Sequence, residues 1–106
     1  ASHALVNADV LDALGPEGLL VNVARGSIVD EAALVAALQQ GRRGAAGRDV
    51  FTDVPRVPEA LWTMDNVVLQ PHRASATIET RIAMGDLVVA NLEAHFAGRP
   101  LPTPVR

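Results

Sequence analysis

Residues 19–30 read LLVNVARGSIVD, and this segment constrains the fold more than any other part of the chain. Leu19, Leu20, Val21 and Val23 form an apolar run too short for a membrane span and too solidly apolar for a half-exposed strand. The run therefore predicts a strand covered on both faces, as in a parallel sheet. Asn22 is its only polar interruption. Gly26 then allows a sharp turn, and Asp30 offers a carboxylate that can cap a helix over residues 31–40. Arg25 thus falls at the carboxyl end of a strand, where parallel sheets keep their ligand sites. Its planar fork suits a carboxylate, because two parallel hydrogen bonds fix orientation as well as charge. The alternative is a surface arginine that only neutralises a nearby acid.

The flanking sequence extends the same pattern. Asn7 is placed to cap a short helix that ends at Leu14, with Gly15 and Pro16 as its stop. In the helix after Asp30, Leu34, Val35 and Leu38 share one face, and Gly41 ends it. Residues 45–51 suit a second strand, residues 52–58 a loop, residues 59–61 a helical turn and residues 66–69 a third strand. Strand, helix, strand, loop, strand is the order of a parallel sheet with flanking helices. The fold class expected is α/β, a partial Rossmann-like doubly wound sheet of about three strands. Beyond it, Ser75 or Thr77 can cap a long helix over residues 78–97, whose stripe of Ile78, Ile82, Val89, Leu92 and Phe96 is expected to be core. Gly41, Gly44 and Gly47 imitate a phosphate loop in their spacing, but they end a helix and lead into a strand. That is the reverse of a dinucleotide fingerprint, so their role is read as structural.

Composition narrows the function classes. A chain of 106 residues has room for one small domain, and 49% apolar residues support a core. The net charge is −3, and the nine basic residues, all arginine, are scattered, which argues against nucleic acid. With no cysteine, disulfides, thiolate catalysis and cysteine zinc sites are excluded. His3 and His95 form no ligand spacing with any acid, so no metal is expected. No apolar run is long enough for a membrane helix and no signal segment opens the chain, so a cytoplasmic protein without membrane partners is the expectation.

The third strand leads into Gln70, Pro71 and His72, so a histidine is expected on the same rim as Arg25. An imidazole is the side chain best suited to pass a proton near neutral pH. An arginine that holds a carboxylate and a histidine that exchanges a proton with the adjacent hydroxyl or carbonyl make a coherent device for 2-hydroxy acids. A loop histidine without function is the alternative.

NVARGSIVDEAAL, GRDVF, LDALGPEG and the PHRAS turn with its following helix resemble the D-isomer-specific 2-hydroxyacid dehydrogenases, most closely the branch that reduces glyoxylate and hydroxypyruvate. The likeness covers nearly the whole chain. It implies that Arg25 binds the carboxylate of a small 2-keto or 2-hydroxy acid and that His72 is the proton donor and acceptor. It also implies that Val23, Ala24, Arg25, Asp49, His72, Ala74 and Ser75 lie around the nicotinamide of NAD or NADP, with Asp49 accepting from its carboxamide.

Several features depart from the family pattern. The position of the glutamate that partners the family's histidine is Val54 here, followed by Pro55; Asp53, one residue away, is a conceivable substitute. Arg43, Arg48 and Arg73 stand where the family usually carries aliphatic residues, so each is expected to be exposed, paired or destabilising. The resemblance reaches only the last part of a cofactor domain and its returning helix. The glycine-rich turn, the residue that chooses between NAD and NADP, and the substrate domain fall outside it. Residues 1–106 are therefore expected to be the carboxyl-terminal portion of a dinucleotide-binding domain, inactive alone, with a homo-oligomer or a complementing chain covering its edge and apolar faces. A non-catalytic interaction module is the competing expectation.

Overall fold

A computed structural model describes residues 2–41 and 44–105, so the expectation for Arg43 lies outside the described residues. The chain divides into two compact units, Ala1–His72 and Arg73–Arg106.

The first unit contains α1 (Ala8–Leu14), β1 (Leu19–Asn22), α2 (Glu31–Gln39), β2 (Ala45–Arg48) and β3 (Val67–Leu69), with 3-10 turns at Gly26–Ile28 and Glu59–Leu61. Both helices start as their sequences require: the Asn7 side chain accepts from the Val10 amide at 3.1 Å, and Asp30 accepts from Ala33 at 3.0 Å. Gly41, just past α2, has φ +65°, which fits a helix-ending rather than a phosphate-binding role.

The three strands are parallel in the order β1-β2-β3, with Leu20 opposite Ala46, Ala46 opposite Val67, and Asn22, Arg48 and Leu69 aligned at the carboxyl end. A right-handed helical crossover is the usual route between parallel neighbours, and α2 supplies the crossover from β1 to β2. Leu20, Ala46, Val67 and Leu69 point into a core shared with Leu11, Leu34, Leu38, Val29 and Leu61, where α1 packs on α2. β2 stops at Arg48 rather than at residue 51, because the chain leaves the sheet once the Arg48 carbonyl has accepted the Gln70 amide.

The expectation of a strand covered on both faces is not met. Leu19, Val21 and Val68 on the opposite face, and Val23 beyond β1, are more than half exposed. The strand alternates as any strand must, and α1 and α2 lie on the face that carries Leu20 and Ala46.

In the second unit, α3 (Ile78–Phe96) is capped by Thr77, whose hydroxyl accepts from the Thr80 amide at 3.2 Å; of the two candidate caps it is Thr77 that serves. The stripe expected to be core is exposed, from 52% at Val89 and Leu92 to 83% at Phe96; Ala94 is the buried residue of this helix. Helical periodicity states which residues share a face, not whether that face is covered. The tail is pinned to the helix by Asn91, which donates to the Thr103 hydroxyl at 2.9 Å and accepts from its amide at 3.3 Å. No described helix is long and apolar enough to cross a membrane.

Leu34 is fully buried at the centre of the first unit. Leu34→Ala should lower its unfolding free energy by about 2–5 kcal/mol through lost transfer energy and the cavity left behind, as read from urea denaturation followed by circular dichroism.

Candidate functional site

Arg25 is held by a turn that Asn22 builds. The Asn22 side chain, buried at the end of β1, accepts from the Ala24 amide at 3.1 Å and donates to the Arg25 carbonyl at 3.0 Å. A polar residue is stable there because the backbone groups of the turn satisfy both ends of its amide. Arg25 itself is extended, with φ −142° and ψ 146°, and its exposed guanidinium makes one hydrogen bond, to the Ala24 carbonyl at 2.6 Å. Gly26 follows because nothing larger fits: a Cβ there would overlap the Phe51 carbonyl and the Thr52 nitrogen.

The end of β2 is tied to the same turn. The amide of Asp49 donates to the Asn22 carbonyl at 3.0 Å, and Asp49 is 4% exposed. At the end of β3, His72 is exposed and has φ +56°, a left-handed conformation that costs a non-glycine residue about 1 kcal/mol and that clusters at functional sites.

Arg25, Asp49 and His72 thereby meet at one cavity of about 320 Å³, each from the segment after a different strand. Its remaining walls are mostly apolar, among them Val50, Phe51, Val54 and Pro55. One cation, one carboxylate and one imidazole around an apolar hollow can hold a small carboxylate at one end and exchange a proton at the other.

The other expected site residues are placed differently. Val23 and Ala24 are exposed on the segment before Arg25, and Ala74 and Ser75 are exposed at the start of the second unit. Asp53 does not line this cavity. It pairs with Arg56 at 3.3 Å and lines a separate groove of about 710 Å³ along α2, while its neighbour Val54 faces the Arg25 cavity. Arg73 is exposed, whereas Arg48 is buried and paired: its guanidinium lies 2.7 Å from a Glu31 carboxylate oxygen. Sequence reasoning missed the Asn22 clamp and the Glu31–Arg48 pair. The one available signal for the first was a lone asparagine in an apolar strand.

Residues 1–74 match the family described as D-isomer specific 2-hydroxyacid dehydrogenase, NAD binding domain. Among characterised relatives, hydroxyphenylpyruvate reductase of Plectranthus scutellarioides is 59% identical over 95% of this chain and 32% of its own length. A glyoxylate/hydroxypyruvate reductase A of Arabidopsis thaliana is 56% identical over the same shares of each chain. The NADPH-dependent glyoxylate/hydroxypyruvate reductase of Sinorhizobium meliloti, solved with NADP and malonate, superposes with a TM-score of 0.82 at 60% identity, covering 98% of this chain and 33% of that one. The chain thus spans about a third of the length of the relatives it matches.

The Asn22 clamp can be tested directly. Asn22→Leu keeps the branched shape but strands the Ala24 amide and leaves the Arg25 carbonyl with only the Ile28 amide, at 3.3 Å, so it should cost about 1–3 kcal/mol in chemical denaturation. The Ala24 amide should also exchange with solvent faster than in the parent chain.

Proposed function

The chain belongs to the D-isomer specific 2-hydroxyacid dehydrogenase family, and on that premise we propose that its cavity is the substrate and nicotinamide end of an NAD(P)-dependent reductase of small 2-oxo acids, of the glyoxylate and hydroxypyruvate class. The observation that carries this reading is the convergence of Arg25, Asp49 and His72 on one hollow from three strand ends.

Arg25 has donors to spare beyond its bond to Ala24, and they take the substrate carboxylate side by side, which fixes how the 2-oxo group is presented. His72 gives its proton to the oxo oxygen as that oxygen gains charge, and takes it back in the reverse direction. When bound, a reduced nicotinamide would supply a hydride for the 2-carbon, which with the His72 proton balances the 2-oxo acid to a 2-hydroxy acid. The residues fit that end of the cofactor: the buried Asp49 carboxylate can accept from a carboxamide, and the apolar walls suit a flat ring. Val23 and Ala24, and in the second unit Ala74 and Ser75, are the further positions that the family pattern assigns to the cofactor. Among the described residues no glycine-rich turn runs from a strand into a helix start, so the pyrophosphate end requires further polypeptide. Val54 puts an apolar side chain where the family's pattern puts a carboxylate, and Asp53 faces elsewhere, so His72 works without that partner.

A second reading, an interaction module without catalysis, is favoured by the bare apolar face of the sheet and by the exposed stripe of α3. The two readings separate on oxidation of NADH or NADPH with glyoxylate and hydroxypyruvate. The chain alone should be silent, and the chain with the amino-terminal two-thirds of a relative should turn over; Arg25→Ala should weaken malonate binding about 10- to 100-fold. Val54→Glu should raise the turnover of the complemented enzyme. Silence in every combination, from folded protein, would leave the interaction module as the function.

A further inference from the structure

Among the described residues, Arg48 is the largest side chain that is fully buried. It lies on the inner face of the sheet, in register with Asn22 and Leu69, where an aliphatic residue would sit at less cost in desolvation. Its contacts point in one direction. Nη1 is 2.7 Å from Glu31 Oε2, an ion contact without hydrogen-bond alignment, and Nε makes no hydrogen bond. Nη2 donates to the Val50 carbonyl at 3.1 Å, and the guanidinium carbon stands 5.1 Å from the centre of the Phe51 ring. Glu31 Oε2 in turn accepts from the Thr52 amide at 3.5 Å.

The pair of buried Arg48 and partly buried Glu31 therefore holds three consecutive residues, Val50, Phe51 and Thr52, and the first two are walls of the cavity. The Phe51–Thr52 peptide fills the space beside Gly26 where no Cβ fits, and Gly26 adjoins Arg25. The Arg48 carbonyl also accepts the Gln70 amide at 2.8 Å, close before His72. We infer that Arg48, locked by Glu31, is a positioning residue: it clamps residues 50–52 against Gly26 and so sets the wall against which Arg25 receives its ligand. The ligand part of this inference rests on the proposed carboxylate-binding role of Arg25; the clamp itself does not.

The test uses the whole chain with Arg48→Leu and Glu31→Gln, reading amide hydrogen exchange at Phe51 and Thr52 and the affinity for malonate. Arg48→Leu should speed exchange at these two amides about tenfold and weaken malonate about tenfold, with exchange at Leu34 and Leu38 unchanged. A role confined to core stability would lower the melting temperature and leave malonate affinity and loop exchange as they were; that result overturns the inference. If Arg48→Leu does not fold, Glu31→Gln, which keeps the volume and the Val50 and Phe51 contacts, decides by the same readings. If the parent chain binds no malonate, the carboxylate role of Arg25 fails while loop exchange still decides the clamp: unchanged exchange in both variants overturns it.

Discussion

Parallel registration of three short strands is the constraint on which the rest of this structure depends. Parallel strands point their carboxyl ends the same way, so the segments after β1, β2 and β3 all emerge on one rim. Alignment of Asn22 with Arg48 and of Arg48 with Leu69 then sets the height at which each segment leaves the sheet. Arg25, Asp49 and His72 follow within three residues of those positions, and they converge on one cavity. A slip of one residue in β2 would turn Arg48 outward and Gly47 inward, removing both the ion pair and the wall it holds.

The inner face of the sheet changes character along its length. At its start Leu20, Ala46 and Val67 meet the helices as ordinary core, while at its carboxyl end two polar side chains, Asn22 and Arg48, are buried side by side. Each is tolerated because it satisfies a piece of backbone that has left the sheet: Asn22 the turn to Arg25, Arg48 the carbonyl of Val50. Charge burial is costly and a hydrophobic replacement is often neutral, so the pair is understood through the loop geometry it fixes rather than through net stability.

Much of this was legible in the residues themselves, and the failures have physical causes. Asn7, Asp30 and Thr77 cap as their side chains predict, because capping is a local interaction over three residues. The parallel sheet follows from short apolar runs separated by a helix. What the pattern could not supply was cover. A continuous apolar strand and a helical stripe state what an element is able to bury, not which chain buries it, and so Val21 and Ile82 stand exposed where core was expected. Arg48 stands out in the sequence as a charge in a strand, but its partner Glu31 lies on the preceding helix, and a pairing between elements leaves no periodic trace. Asp53 and Val54 show the finer limit: neighbours in an extended loop present opposite sides, so being next in sequence did not bring the carboxylate into the cavity.

The bare faces bear on the two functional readings in different ways. Leu19, Val21 and Val68 lie on the far side of the very strands whose ends carry the cavity, so whatever covers them also stiffens the platform from which Arg25, Asp49 and His72 are presented. Parallel sheets are stable chiefly when both faces are covered, and a unit of this size with one layer of helices has a small core to set against its chain entropy. Covering that face is therefore not an alternative to catalysis. For the enzyme it is the condition for a precise site, and for an interaction module it is the function itself. The difference lies at the rim, where an interaction module would have no use for a buried arginine that braces the loop beside Arg25.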